Sequence, residues 1–328
     1  MGFARTTPAS RDPDAIVWRY MDDWKFEDLL KRFSEHDRWQ PAKVGTRTVH
    51  FNDPGQLWFG FPGSFGDSAE GTFPDPNEDP EKYCDRMAAH MGLSQDEAKD
   101  RKKRLLAADT KTIQDGIFFM AQLCGVSCWC ANDSESKTMW NDFVAAKNGV
   151  AIRSTCGRVE RSLKDARASP AKKASPSVCA VGYVDHANYF LPSDGFRGLL
   201  SIVQESWSHE NEVRFVAKSP ALAAIPTRIS TALPSDPTKW SATIESVAAE
   251  KEKYLADITA QARKALAEHR QSGEEGFHLP IVLSDFMLEV VIKPGSTSEY
   301  ETTVQDHLRV SGCAQVPVRR SSLGGVGP

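Results

Sequence analysis

The sequence lacks any segment expected to enter or cross a membrane. No apolar run approaches the ~18 residues of a membrane span, and the first residues, MGFARTTPASRDPD, lack the apolar core of a signal peptide. Met1, Gly2 and Thr6 fit the loose N-myristoylation pattern, but that pattern is short enough to occur by chance. We therefore expect a cytoplasmic protein with no membrane partner.

The chain also lacks a large excess of charge of either sign. Its 40 Lys and Arg residues nearly balance its 44 Asp and Glu residues, which leaves a formal net charge of −4. A dedicated electrostatic nucleic-acid binder needs a basic surface, so the composition argues against that class. A catalytic encounter with nucleic acid stays open.

The common nucleotide-binding and hydrolytic motifs are absent. The sequence contains no G-x-G-x-x-G, no P-loop, no G-x-S-x-G and no H-E-x-x-H. These absences argue against dehydrogenases, P-loop ATPases, α/β-hydrolases and zincins. The 8 histidines are scattered, so no Ser or Cys nucleophile has an evident base beside it in the sequence.

Cysteine is present in an odd number, 7, mostly within apolar stretches, which is typical of reduced core residues in a cytosolic protein. The only cluster is Cys124, Cys128 and Cys130. Zinc needs a fourth ligand, and no His or Cys follows at finger spacing. On a strand, Cys128 and Cys130 share a face, which fits core packing. We predict no metal site.

With 328 residues, the chain exceeds the usual ~250–300-residue limit of one core, but one large domain with insertions is compatible with this length. We predict a flexible arm at 1–14, one domain at 15–323 and a flexible tail at 324–328. Helical insertions are expected at about 72–112 and 219–275. Short strands mixed irregularly with helices favour an α+β fold with a mixed or antiparallel sheet.

Several element predictions bear on the later argument. Strands are expected at 16–20, 56–61, 125–130, 150–152, 178–184, 279–282, 288–292 and 314–318, and helices at 25–33, 115–125, 134–147, 196–205, 243–271 and 297–310.

The most informative segment is WSHENEVRF at residues 207–215, which holds two carboxylates, an imidazole, a guanidinium and an indole. Alternate residues of a strand share a face. Glu210, Glu212 and Arg214 would then point one way and Val213 and Phe215 the other. Two close carboxylates raise the pKa of one, which suits proton transfer or oxocarbenium stabilisation. The alternative is a surface edge strand with a Glu–Arg ion pair.

Three other features carry residue types suited to ligand binding. On the first predicted strand, the guanidinium of Arg19 lies between the aromatic residues Trp18 and Tyr20 and is suited to bind phosphate. The alternative is an ordinary amphipathic strand. The aromatic and acidic stretch at 57–71 is expected to shape a ligand mouth, or to be a loop anchored by its aromatics. The stretch from Ser127 to Trp140 brings indoles that stack on a planar ring, or that fill the core.

In combination, these features resemble a bacterial family, domain of unknown function 2971. The family's opening Tyr/Trp-x-Tyr-like strand is matched by residues 18–20, its LWF..P..F.D..EG block by 57–71, its CWS…ES..MW..Y….GVAI.S block by 128–154, its W..E.E.R by 207–214 and its Pro-Val-x-x-Ser by 317–321. The chain departs from the pattern at Cys130, where Ser is usual, and at Phe143, where Tyr is usual.

A second resemblance, to the Arg–Ser–Glu layout of ADP-ribosyltransferases, implies a chemistry. It implies a split, mostly antiparallel sheet that binds NAD in a central cleft. Glu212 would stabilise the oxocarbenium ion as the N-glycosidic bond breaks, and Glu210 would orient or deprotonate the acceptor. The NAD-binding residues implied are Arg19 on a phosphate, Ser154 and Thr155 or Ser127 on the middle strand, Trp129 or Trp140 beside the nicotinamide, and Tyr20 and Arg214.

The leading hypothesis is therefore an NAD-using ADP-ribosyltransferase-like enzyme, a toxin or anti-phage defence effector, with an unknown protein or nucleic-acid acceptor. The alternatives are a Mg²⁺-dependent nuclease or hydrolase built on Asp67, Glu70, Glu210 and Glu212, and a non-catalytic sensor module of a defence system. The first hypothesis predicts that Arg19, Glu212 and either Trp129 or Trp140 converge on one cleft.

Overall fold

The computed structural model describes residues 5–6, 12–31, 43–44, 47–48, 54–65, 94, 96, 118–165, 176–184, 199–219, 222–223, 253, 256–268, 271, 273 and 275–323. Most of the predicted insertion at 72–112, the loop at 66–71 and the tail at 324–328 lie outside these residues. Residues 256–268 are helical, in the middle of the long helix predicted at 243–271.

A nine-stranded sheet forms the centre of the molecule, in the order β12-β5-β6-β2-β7-β13-β14, with β11 beside β6 and β8 beside β11. Its strands are β2 (Ile16–Asp22), β5 (Pro54–Gly60), β6 (Cys124–Cys130), β7 (Gly149–Thr155), β8 (Ser177–Ala180), β11 (Glu212–Lys218), β12 (Gly276–Val282), β13 (Glu289–Ile292) and β14 (Val318–Arg320). Among the described strands of this central sheet, only β13 and β14 pair in parallel. The predicted α+β fold with a mixed, mostly antiparallel sheet is confirmed.

The central sheet divides at β6. One edge of β6 pairs with β11 along its whole length, from Cys130 opposite Glu212 to Cys124 opposite Lys218. The other edge is shared between two strands that each touch it once, β5 through Gly60 opposite Val126 and β2 through Trp18 opposite Cys130. The sheet therefore opens between β5 and β2.

Gly125 shows how closely the strands approach at this division. A Cβ atom at Gly125 would lie 2.5 Å from a ring carbon of Phe277 and 2.6 Å from Cβ of Phe59. Real Cβ atoms essentially never come so close, so a side chain at Gly125 would collide with Phe59 of β5 and Phe277 of β12.

The two faces of the central sheet are chemically different. On the side that we call the core face, Val17, Met21, Trp129, Val213 and Phe215 join the largest hydrophobic cluster. The other side, which we call the glutamate face, carries Trp18, Tyr20, Cys130, Glu212 and Arg214. This alternation follows from the period of two in each strand and from strand register, because paired residues point to the same side.

Helices cover the core face. They are α1 (Asp23–Leu30), α3 (Cys156–Asp165), α4 (Leu283–Phe286) and α5 (Ser298–Val310). The last of these begins at Thr297, whose side chain accepts a hydrogen bond from the backbone N–H of Tyr300. Glu299 and Glu301 in its first turn and His307 and Arg309 in its last turn match the helix dipole.

On the glutamate face lie α2 (Lys137–Phe143) and the helical residues 118–122 and 256–268. Ser136 caps α2 by accepting a hydrogen bond from the backbone N–H of Met139. Met139 and Trp140 then pack against Trp18 and Tyr20 of β2.

A second, three-stranded sheet consists of β1 (Arg5–Thr6), β9 (Gly182–Val184) and β10 (Ile202–Gln204), in the order β1-β9-β10. One prediction fails here, since the strand expected at 178–184 is two strands, β8 and β9, in different sheets. Within the arm predicted at 1–14, Arg5–Thr6 forms β1. A separate two-stranded sheet pairs β3 (Lys43–Val44) with β4 (Arg47–Thr48).

Two further predictions need correction. Within the helix expected at 196–205, residues 199–200 are helical, but Ile202–Gln204 forms β10 and a 3₁₀ helix, Glu205–Glu210, follows it. The last strand lies at Val318–Arg320 rather than at 314–318. Helix α3, which begins directly after β7, was not predicted. A second 3₁₀ helix, Pro62–Ser64, follows β5.

Among the described residues, no helix combines the length and apolar character that crossing a membrane requires. The same residues contain no group of three or more His, Cys, Asp or Glu side chains placed to hold a metal ion. Cys124, Cys128 and Cys130 lie on one strand, β6, and they pack with hydrophobic clusters of the glutamate face.

Candidate active site

Strand β11 lies inside the sheet, between β6 and β8, so it is not the exposed edge strand of the alternative interpretation. Glu212 and Arg214 point to the glutamate face, and Val213 and Phe215 to the core face, as the sequence predicts. Glu212 is only 4% exposed. Its Oε2 lies 3.0 Å from Nη2 of Arg214, so the two buried charges form an ion pair.

Two further polar contacts of this ion pair involve Tyr183 of the second sheet and Leu200, which lies just before β10. Nη1 of Arg214 donates a hydrogen bond of 2.9 Å to the carbonyl oxygen of Leu200. The backbone N–H of Glu212 donates to the hydroxyl of Tyr183 on β9. Burial, more than the nearby carboxylates Glu212 and Glu210, raises the pKa of Tyr183. The carboxylate of Glu212 is therefore held by the guanidinium of Arg214 in buried surroundings of low polarity.

Glu210 interacts electrostatically with the Glu212–Arg214 ion pair, but it belongs to a different element. It is the last residue of the 3₁₀ helix, and Asn211 follows in the left-handed conformation, with φ of 45°. Asn211 is stabilised there by a side-chain hydrogen bond to the carbonyl oxygen of Ala131, while its own carbonyl accepts the Ala131 N–H at 2.8 Å. The turn lets the chain leave the helix and enter β11 within one residue.

The two carboxyl groups differ in their electrostatic environment. Burial and, next, the charge of Glu212 raise the pKa of Glu210 to about 7, although Arg214 opposes the shift. Asp142 at the end of α2 adds a further increase. Glu210 is thus poised to exchange a proton near neutral pH, while Glu212 has its own cation.

Arg19 is not part of this group. It lies on the core face, donates a hydrogen bond to Oγ of Ser127 and places its guanidinium 5.8 Å from the ring centre of Trp129. The prediction that Arg19 and Glu212 share one cleft is therefore wrong. The reason is register: Glu212 pairs with Cys130, which points away from Ser127 and Trp129.

Ser154 and Thr155 are also separate from the carboxyl pair. They lie on β7, on the far side of β2 from β6 and β11. The Ser154 hydroxyl donates a 2.5 Å hydrogen bond to the carbonyl oxygen of Phe286 in the core, and the Thr155 hydroxyl accepts from the N–H of Arg158 in the first turn of α3. Both contacts are structural, so the role implied for these residues at a middle strand is not supported by their positions.

Tyr20 and Trp140 lie on the glutamate face, with ring centres 4.9 Å apart in an edge-on contact. The hydroxyl of Tyr20 accepts the backbone N–H of Ser136 at 2.8 Å. Burial raises the pKa of this hydroxyl. The indole N–H of Trp140 donates to Glu135 at 3.3 Å. Both aromatic side chains are buried, so they serve the packing of α2 on β2.

Glu135 ties the end of the chain to this cluster. Its carboxylate accepts hydrogen bonds from Ser321, from the side chain and backbone of Ser322, and from Arg319 at 2.8 Å. Burial alone would raise the pKa of Glu135, but these bonds, first that of Ser321 and then that of Arg319, lower it to about 2. The stretches near residues 135 and 321, both part of the family resemblance, therefore meet in one structural contact.

Sequence reasoning missed Tyr183 and Asp142 as neighbours of the carboxyl pair. Tyr183 comes from the second sheet, which contacts β11, and Asp142 comes from α2, which meets the 3₁₀ helix at His209, so only the packing of these elements reveals them. No motif of the sequence marks either residue.

Comparison of the chain with protein-family models, with curated proteins and with solved structures finds no match in any of the three.

Proposed function

We propose that this protein is an enzyme that breaks an N-glycosidic bond with the carboxyl pair of the glutamate face. The observation that carries the proposal is the difference in electrostatic environment between Glu210 and Glu212. One carboxyl group has its pKa raised to about 7 and the other is bound to Arg214. Glycosyl transfer uses such a pair, an anion against the developing oxocarbenium ion and a group that exchanges a proton.

NAD is the substrate that we propose, in keeping with the resemblance to ADP-ribosyltransferases. The bond between nicotinamide and C1′ of the ribose breaks, and nicotinamide leaves as a neutral molecule with the bonding electron pair. Glu212 stabilises the positive charge that develops on the ribose. Glu210, in its ionised form, takes the proton of the acceptor as the acceptor bonds to C1′.

The fold supports this proposal in part. The resemblance implies a split, mostly antiparallel sheet, and the central sheet opens between β5 and β2, which each pair with β6 at one position. The strands with Arg19, Ser127 and Glu212 lie next to each other in the order β2-β6-β11. Arg19 faces away from Glu212, however, and therefore takes no part in the proposed reaction.

The test is nicotinamide release from NAD by the wild type and by three variants. Glu212→Gln should reduce the rate by roughly 10²–10³, the usual cost of losing one preorganised charge-stabilising group. Glu210→Gln should reduce transfer to an acceptor while some hydrolysis remains. Glu205→Gln is the matched control, because Glu205 is exposed in the same 3₁₀ helix as Glu210.

Two results would contradict the proposal. One is nicotinamide release by Glu212→Gln at the wild-type rate. The other is an activity of the wild type that needs Mg²⁺ and no NAD, which indicates the metal-dependent hydrolase instead. Because Glu212→Gln leaves Arg214 buried without this carboxylate, rates are compared at a temperature where denaturation curves show both proteins folded.

A further inference from the structure

The surface beside the carboxyl pair carries an exposed indole. Trp207 lies in the same 3₁₀ helix as Glu210, three residues before it, and is 43% exposed. The buried tryptophans Trp18, Trp129 and Trp140 pack in clusters, so an indole exposed at this position is not explained by the core. An exposed aromatic face next to a reacting group is well suited to hold a planar ring by stacking.

His209 lies beside Trp207, and Asp142 lies beside His209. The rings of Trp207 and His209 have centres 6.1 Å apart and planes inclined by 30°. His209 Nδ1 lies 3.2 Å from the carbonyl oxygen of Ser206, and its Nε2 lies 3.7 Å from Oδ2 of Asp142. The 3₁₀ helix and the end of α2 therefore meet at this point, with both ionisable side chains about half exposed.

Asp142 supplies a hydrogen-bond acceptor beside the aromatic pair. Its charge also acts on Glu210, since Asp142 contributes to the raised pKa of that residue. The acceptor, the stacking surface and the proton-exchanging carboxyl thus lie around one small region of the surface. A carboxylate selects ligands that offer an N–H donor.

We propose that Trp207 and Asp142 form a subsite for a planar heteroaromatic ring that carries an amino or amide NH₂ group. The ring stacks on the indole, and the NH₂ group donates a hydrogen bond to Asp142. This inference rests on the proposed function for its ligand class, because NAD offers two such rings, the carboxamide-bearing pyridine of nicotinamide and the amino-bearing purine of adenine.

The test is direct binding of nicotinamide and of adenosine, each alone, measured by calorimetry on the full-length protein. At least one of them should bind to the wild type, and Trp207→Ala should weaken that binding by about tenfold or more, in line with the usual contribution of stacking. Trp207→Phe keeps an aromatic face and should restore most of the affinity. Trp24→Ala is the matched control, since Trp24 is also an exposed indole but belongs to α1.

A second arm tests Asp142 by a change in the ligand. Pyridine lacks the amide of nicotinamide, and purine riboside lacks the amino group of adenosine. The wild type should prefer the ligand with the NH₂ group, and Asp142→Ala should abolish that preference. Whichever pair shows the effect identifies the ring that occupies the subsite.

These experiments distinguish refutation of the ring-binding subsite from refutation of the proposed catalytic function. Glu212→Gln should bind the ring like the wild type, because stacking needs no bond cleavage. If the wild type cleaves no NAD but binds a ring through Trp207, the proposed function is wrong and the subsite stands. If neither ring binds, or if Trp207→Ala binds both like the wild type, the subsite is refuted whatever the activity.

Discussion

Two arginines, the buried Arg214 and the partly buried Arg19, lie on opposite faces of the central sheet and have different surroundings. On the glutamate face, Arg214 pairs with the buried carboxylate of Glu212 at 3.0 Å and donates to the carbonyl of Leu200. On the core face, Arg19 contacts the hydroxyl of Ser127 and the ring of Trp129, and no Asp or Glu of the described residues pairs with it. Only Arg214 holds a negative charge in place.

The comparison shows that residue type alone does not mark a site. Burial lowers the pKa of Arg19 to about 10, which indicates that its surroundings disfavour the charge. On the other face, charge is concentrated: one carboxylate is paired, and a second, Glu210, has its pKa raised to about 7. The chemistry is therefore expected where several charges act on one another.

The largest expected effect on stability is that of Arg214→Met, and Arg19→Met is its matched comparison. Arg214→Met leaves the carboxylate of Glu212 buried without this partner and should reduce the free energy of unfolding by about 3–5 kcal/mol. Arg19→Met removes a charge that pairs with no described carboxylate, so we expect a change within about 1 kcal/mol. Urea denaturation of the two variants and the wild type measures both values.

A double variant sharpens this comparison. Glu212→Gln combined with Arg214→Met removes both charges and should be more stable than Arg214→Met alone. Equal losses of stability in Arg19→Met and Arg214→Met would show that the two faces do not differ in the way described above.

A smaller effect is expected at the contact between Glu135 and the end of the chain. Glu135→Gln weakens the hydrogen bonds from Arg319 and Ser321 and should cost about 2 kcal/mol at pH 7. Because the pKa of Glu135 is about 2 in the folded protein, its contribution is present above pH ~4.5 and disappears as the pH falls towards ~2. Melting temperatures of variant and wild type should therefore converge at acid pH.

Glu275→Gln is the control for this experiment, since Glu275 is exposed and lies directly before β12. A constant difference in melting temperature between Glu135→Gln and the wild type at every pH would contradict the assigned ionisation of Glu135.

The smallest expected effect is the pH dependence caused by Glu210. Its pKa is raised to about 7, so between pH ~4.5 and ~7 the folded protein binds a proton that the unfolded chain releases. Stability should fall as the pH rises through this range, by about 1–2 kcal/mol after allowance for partial exposure of the side chain. Glu210→Gln should lose this slope and Glu205→Gln should keep it, as measured by denaturation at several pH values.

Local features could be predicted from the sequence because they depend on near neighbours in the chain. The strands at β2, β6 and β11 follow from β-branched and aromatic residues, and α5 follows from its spacing of apolar residues between Thr297 and Gly312. The separation of Glu212 and Arg214 from Val213 and Phe215 follows from strand geometry alone. The proposed chemistry rests on the two carboxylates near this strand together with the resemblance to ADP-ribosyltransferases, and it stays a prediction.

Only the tertiary structure decided which residues of different strands lie on the same side of the sheet. Alternation assigns residues to two sides of a strand, but a shift of one residue in register exchanges the sides. The sequence therefore left open whether Arg19 joins Glu212, and the pairing of Glu212 with Cys130 and of Trp18 with Cys130 places them on opposite faces. Tyr183 and Asp142 reach the carboxyl pair only because a second sheet and a helix pack there, contacts that depend on the whole chain rather than on any local pattern.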